Sequence, residues 1–223
     1  MSERRVQTQN FKVVLLGEGC VGKTSLVLRY VDNKFQEKHQ TTLQASFVNK
    51  TLTVCGERVK LSIWDTAGQE KFHALGPIYY RDSNGAVLVY DVTDPDSLSK
   101  VKKWVKELRS ILGNSVCLAV VGNKIDLLPS DKSLSSNSLI SEAQTYSLSI
   151  ENAVHYCTSA KFDKGIHEMF LDLTKRMLEH CQKQQQQQTN RSYQNAGTSN
   201  RTLRIADDNE NIDLSSDSNK CNC

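Results

Sequence analysis

Phe11-Lys12-Val13-Val14-Leu15-Leu16-Gly17-Glu18-Gly19-Cys20-Val21-Gly22-Lys23-Thr24 reads as a strand that ends in a glycine-rich turn, followed by the helical run Ser25 to Val31. Its last eight residues match G-x-x-x-x-G-K-[ST]. The glycines let the backbone curl so that successive N–H groups point inward at phosphate oxygens. Lys23 adds a point charge for the terminal phosphates, and the Thr24 hydroxyl can ligate Mg²⁺. The helix that follows presents its positive end to the same place. Strand, turn and helix in this order are the context the motif needs, so the stretch predicts a nucleoside triphosphate site on an α/β sheet.

Outward from this stretch, strands and helices alternate. Gly85 to Tyr90 and Val116 to Val121 are continuous apolar runs of strand length, suited to the inner strands of a parallel sheet covered on both faces. Leu98, Val101, Val105, Leu108 and Leu112 recur at helical spacing between them, as do Ile166, Met169, Phe170, Leu173 and Met177 further on. Val48 to Val54 and Val59 to Trp64 are joined by the short Cys55-Gly56-Glu57-Arg58, which suits a hairpin. The pattern is α/β: a mostly parallel sheet with one antiparallel edge strand and helices on both faces.

The 223 residues carry a net charge of +3 and only 38% hydrophobic residues. From Gln182 onward the chain is Gln, Asn, Ser, Thr and Asp, with the run Gln184 to Gln188; it reads as a disordered spacer. Lysine and arginine there balance aspartate and glutamate, so the whole +3 belongs to residues 1–181. That is too little charge to suggest a nucleic-acid protein. The longest apolar stretch, Val116 to Val121, is far short of the ~20 residues that span a bilayer. Met1 to Arg5 lead into polar residues without the apolar core of a secretory signal. Seven cysteines, scattered except for two at the very end, form neither a disulfide framework nor a zinc pattern, and the histidines (His39, His73, His155, His167, His180) show no ligand spacing. Residues 1–9 are thus read as a flexible N-terminus, 10–181 as the folded domain and 182–223 as the tail.

Two further motifs choose the base. Asn123-Lys124-Ile125-Asp126 follows an apolar strand, where the Asp126 carboxylate can accept from both N1–H and the 2-amino group of guanine. Adenine lacks that donor pair and would leave the carboxylate unpaired. Ser159-Ala160-Lys161 follows the short strand His155 to Thr158, where a backbone amide could meet the guanine oxygen. Asp65-Thr66-Ala67-Gly68-Gln69 ends the second hairpin strand: Asp65 can hold Mg²⁺ through water, Gly68 lets an N–H approach the γ-phosphate, and Gln69 can orient the attacking water.

With Lys60 to Trp64, Lys71-Phe72, Tyr79-Tyr80-Arg81 and Leu88 to Thr93, these motifs make residues 10–181 resemble the Rab family of Ras-superfamily small GTPases. Gly17 to Cys20, Thr42 to Phe47, Lys164-Gly165-Ile166 and Met169 to Leu173 are similar to its endosomal branch. The resemblance implies the Ras-like P-loop fold, with six strands and five helices. It implies a GTP-to-GDP switch with switch segments at about 35–47 and 66–82. Turnover would be slow alone and raised ~10³–10⁵-fold by a GTPase-activating protein. Carried over residue by residue, the nucleotide set is Gly17, Gly19, Cys20, Val21, Gly22, Lys23, Thr24, Ser25, Phe35, Thr42, Asp65, Gly68, Asn123, Lys124, Asp126, Ser159, Ala160 and Lys161. Thr24, Thr42 and Asp65 serve Mg²⁺, Phe35 packs on the guanine and Gln69 is catalytic. Gln44 stands where most of the family has glycine, and Gly19 where many members crowd the γ-phosphate. The stretch Pro129 to Ser138 is longer than usual and reads as a tolerated surface loop.

Strand alternation places Val59, Leu61 and Ile63 on one face and Lys60, Ser62 and Trp64 on the other, with Phe47 on the wet side of the neighbouring strand. Phe47 and Trp64 read as a docking patch that Tyr79 completes by the resemblance; simple packing of the three together is a compatible alternative. Lys220-Cys221-Asn222-Cys223 is not C-a-a-X. Members of the family often end in C-x-C with both cysteines geranylgeranylated. Without a polybasic patch, a second lipid supplies the second membrane signal. The resulting expectation is a monomeric switch on the cytosolic face of endomembranes, the early endosome first, cycling with cytosol. Its partners would be an exchange factor, an activating protein, a GDP-dissociation inhibitor, effectors and the prenylation machinery. A switch at another membrane, a P-loop kinase or ATPase, and a GTP-binding scaffold that does not hydrolyse are the rival readings.

Overall fold

The computed structural model describes residues 8–37, 41–42, 44–66, 76–129 and 134–196. Two compact units divide the chain, Met1–Gln184 and Gln185–Cys223. The first holds a six-stranded sheet: β1 (Gln9–Leu16), β2 (Ser46–Val54), β3 (Glu57–Asp65), β4 (Gly85–Asp91), β5 (Cys117–Asn123) and β6 (Ala153–Cys157), in the order β2-β3-β1-β4-β5-β6. Every pairing is parallel except that of β2 with β3, which leaves one antiparallel strand at an edge.

Alternation along the strands sorts the core into two layers. Phe11, Val13 and Leu15 of β1 join Val59, Leu61 and Ile63 of β3 beneath α1 (Lys23–Asp32) and α5 (Ile166–Ala196). Val14 and Leu16 face the other way, with Ala86, Leu88 and Tyr90, beneath α2 (Gly76–Tyr80), α3 (Pro95–Leu112) and α4 (Ser138–Leu148). Side chains fix where two of these helices begin. Asp94 accepts from the Asp96 amide ahead of Pro95 in α3, and Asn137 accepts from the Leu139 and Ile140 amides in α4. Gly22 precedes α1 in the left-handed region without any side-chain cap, leaving that helix end open toward the β1 turn.

Two readings of the sequence change. The hairpin connection is the two-residue turn Cys55-Gly56, with φ of +51° and +80°, not the four residues Cys55 to Arg58. Positive φ at both central positions matches the right-handed twist of the strands, so Glu57 and Arg58 are free to pair as β3. Residues 182–196, read as disordered, continue α5 to Ala196. Glutamine is a good helix former, and extending a helix already nucleated by a packed face costs little. Among the described residues, no helix is long and apolar enough to cross a membrane.

Candidate functional site: a nucleotide cleft

The carboxyl ends of β1, β3, β4 and β5 lie along one edge of the sheet, which is where open α/β sheets bind ligands. A cleft of about 430 Å³ opens there, a typical size for a small-molecule site. Its walls bring together Gly19, Cys20, Gly22, Lys23, Thr24 and Ser25 from the β1 turn with Phe35 and Thr42. Asn123, Lys124, Asp126, Ala160 and Lys161 complete it from the two base motifs. Gly17, Val21, Asp65 and Ser159 are not part of the lining. Gly68 and Gln69, together with Cys221 and Cys223, lie outside the described residues.

The turn is shaped by close approach. A Cβ on Gly17, whose φ is +144°, would stand 2.2 Å from the Val89 carbonyl oxygen; one on Gly22 would stand 2.4 Å from the Asn123 amide nitrogen. Lys23 is buried and donates to the carbonyls of Gly17 and Glu18, both at 2.9 Å. Burial lowers its pKa to about 8, against the opposing charges of Asp65 and Glu18. The ammonium is therefore held at the helix end, pointing into a space that favours anions.

Thr24 Oγ1 and Thr42 Oγ1 are 2.8 Å apart, and the Asp65 carboxylate is buried at the end of β3. Neighbouring oxygen ligands of an octahedral Mg²⁺ at ~2.1 Å stand ~3 Å apart. Two hydroxyls at that spacing, beside Lys23 on which the Asp65 charge acts, supply hard oxygens that fit this ion. Among the described residues, no group of three or more His, Cys, Asp or Glu could hold a metal. A hydroxyl-based site completed by phosphate oxygens needs none.

At the base end, Asn123 is a rivet. Its Nδ2 donates to Val21 O at 2.9 Å, while its Oδ1 accepts from Thr158 Oγ1 at 3.2 Å and the Ala160 amide at 3.3 Å. The phosphate turn and both base motifs are thus tied by one buried amide. Ser159 serves from behind: its Oγ donates to Asp126 Oδ1 at 2.5 Å and accepts from the Phe162 amide at 3.1 Å, which aims the Asp126 carboxylate. Lys124 sits in the left-handed region and its Nζ meets Asp91 Oδ2 at 2.7 Å. Burial alone would raise the Asp91 pKa, but bonds from Lys124 and Thr93 outweigh it and hold the carboxyl below its usual value. Asp91 was missed among the site residues. Its signal is an acidic residue closing the apolar run of β4, in register with Asn123 of β5.

Phe47 and Trp64 are paired directly across β2 and β3, with ring centroids 5.3 Å apart, and Tyr79 lies 6.2 Å from Trp64. Phe47 is 48% exposed, while Trp64 and Tyr79 are half-buried and Trp64 also packs on the core, so the three rings form a cluster open to solvent at Phe47.

The Gly17–Thr24 turn, the Asp126 carboxylate and the paired threonines meet at one cleft of an α/β sheet, and residues 12–179 match the family model "Ras family", a class of nucleotide-hydrolysing switch domains. The chain belongs to the Ras family and, within it, to the Rab GTPases, which hydrolyse GTP to GDP and phosphate in vesicle traffic. It is similar to Ras-related protein Rab-21 of Mus musculus, 63% identical over 199 residues that cover 89% of this chain and 86% of the relative. The same protein of Homo sapiens is 63% identical, covering 89% and 85%. GTP-binding protein YPT53 of Saccharomyces cerevisiae is 37% identical over 98% of this chain and 97% of the relative. Members of the family use Mg²⁺ with the nucleotide and answer to regulators and effectors.

Proposed function

We propose that the cleft binds GTP and GDP with the phosphates on the Gly17–Thr24 turn and the base between Phe35 and the loops of Asn123 to Asp126 and Ser159 to Lys161. The observation that carries this is the convergence of all these segments on one cavity of about 430 Å³. Asp126, aimed by Ser159, reads the guanine donors. Lys23 and the α1 amides neutralise phosphate charge. Thr24, Thr42 and Asp65 would hold Mg²⁺, which supplies charge neutralisation at the phosphates. Gln69 orients the attacking water, and Gly68 offers a backbone N–H to the γ-phosphate. Because Thr42 stands against Thr24, its segment is the part that a γ-phosphate would keep closed and its loss would release.

In the GTP form, the Phe47–Trp64–Tyr79 cluster recruits effectors; the exposed Phe47 ring against the half-buried Trp64 and Tyr79 supports this. Exchange factors, activating proteins and a GDP-dissociation inhibitor complete the cycle. Residues 182–223 act as the tether, and geranylgeranyl groups on Cys221 and Cys223 anchor the switch to endomembranes. Similarity to Rab-21 supports the early endosome as that membrane. Nucleotide turnover tests the core of the reading. The purified chain should hydrolyse GTP, leave ATP untouched and slow at least tenfold as Gln69→Leu. ATP turnover equal to GTP turnover, or an unchanged rate in Gln69→Leu, would sink it.

A further inference from the structure

Two chain segments far apart in sequence make the walls at the base end of the cleft. One is Phe35 to Glu37, which follows α1 and its cap Asn33; the other is Ala160 and Lys161 after β6. Arg29, in the last turn of α1, does not line the cavity but bonds to the second wall and to Asn33, the cap residue from which the Phe35 segment leads off. Its Nε donates to Ala160 O at 3.0 Å and its Nη2 to Lys161 O at 3.2 Å. Its Nη1 donates to Asn33 O at 3.1 Å and to Asn33 Oδ1 at 2.9 Å.

Asn33 is itself fixed. It closes α1 in the left-handed region, with its amide bonded to the carbonyls of Arg29 and Leu28. A planar guanidinium spreads its donors over three nitrogens in a rigid fork, so it reaches acceptors over a wider span than the three donors on a single ammonium nitrogen. On the outer side, Lys161 Nζ and Glu37 Oε1 pair at 3.2 Å across the same two walls. Those two side chains are largely in water, so that link is weak. Arg29 makes four hydrogen bonds, the one from Nε to Ala160 O part-buried, and is the stronger brace.

We propose that Arg29 is a positioning residue that clamps the two walls of the base pocket together and thereby sets how long a guanine nucleotide stays bound. It touches no nucleotide. It holds Phe35's segment against the loop that carries Ala160 and Lys161, so the base can leave only when the walls part. The proposal rests on the guanine reading of the cleft.

The test follows release of a fluorescent N-methylanthraniloyl GDP from the full chain, chased by excess GDP, in wild type, Arg29→Met and Arg29→Lys. Both variants should release at least tenfold faster, because lysine keeps the charge but not the span of donors. Hydrogen exchange should rise in residues 33–37 and 159–162 and stay unchanged along α5. Release within twofold of wild type overturns the clamp, as does a Lys variant that behaves as wild type or exchange that rises evenly through the domain. If Arg29→Met fails to fold, Arg29→Lys decides the matter alone. Wild-type protein that exchanged ATP as readily as GDP would overturn the guanine reading instead, visibly apart from any effect of Arg29.

Discussion

Replacing Asn123 by alanine removes one side chain and strands three partners. Asn123 is 1% exposed, and the partners it leaves are the Val21 carbonyl, the Thr158 hydroxyl and the Ala160 amide. Each hydrogen bond is worth ~0.5–1.5 kcal/mol net, and a buried group left without a partner costs ~1–3 kcal/mol. The two bonds to Oδ1, at 3.2 and 3.3 Å, are long and belong at the weak end; the one to Val21 O, at 2.9 Å, is full strength. The sum is about 3 kcal/mol. In a domain of this size that lowers the melting temperature by ~6–12 °C, with ~2–4 °C for each kcal/mol. Calorimetry at one fixed, saturating GDP concentration is the assay, because bound ligand adds its own stabilisation. GDP dissociation should quicken as well, since the phosphate turn and the Ala160 loop lose their shared tie. Gly22→Ala pushes a Cβ to 2.4 Å from the same amide and should reproduce part of both effects. A fall below 2 °C with unchanged GDP release in Asn123→Ala would refute the rivet.

Three other outcomes follow from the same geometry. Lys23, with its pKa lowered to about 8 by burial, is charged below that pH and must take up a proton to meet phosphate above it; GDP affinity should therefore fall by up to tenfold per unit between pH 8 and 10. Calorimetric titration in two buffers of different ionisation enthalpy would see the proton, and an affinity flat to pH 10 would contradict it. His155, half-buried beside Tyr90 with Nε2 2.9 Å from the phenol oxygen, has a pKa lowered by desolvation to about 4. The unfolded chain binds its proton first, so stability should drop by about 1–2 kcal/mol from pH 7 to pH 5, and His155→Gln should flatten that slope in urea denaturation. A Cys221→Ser/Cys223→Ser chain expressed in cells should move from the membrane fraction to the soluble one; equal partitioning would remove the lipid anchor.

Local chemistry made most of the site legible. The strand that enters the Gly17–Thr24 turn, the two base motifs after β5 and β6, and the alternation that leaves Phe47 and Trp64 on one face all depend on neighbours in sequence, and pattern reports neighbours well. The hairpin turn was longer in the sequence reading because Cys55 gives no hint that it adopts a positive φ. The α5 extension was hidden by composition: a glutamine-rich stretch reads as disorder unless the packed turn that nucleates it is known. Arg29 and Asp91 escaped for another reason. Arg29 meets residues more than 130 positions away, and no periodicity in α1 marks a side chain that works through another loop.

The Cys55-Gly56 turn lies at the end of the sheet remote from the cleft, since the start of β3 pairs with the start of β1 while the phosphate turn follows the end of β1. The last turns of α5 within the first unit reach that same end, where Gln182 Nε2 donates to Glu57 Oε1 at 3.0 Å. A β3 strand of nine residues separates the two ends by ~30 Å. Each end carries an exposed thiol, Cys20 in the cleft and Cys55 on the turn. Thiol chemistry thus has a handle at either pole. With Cys221 and Cys223 replaced by serine and nucleotide filling the cleft to shield Cys20, a maleimide probe or solid support should attach at Cys55 and leave the nucleotide mouth facing away from whatever holds the protein.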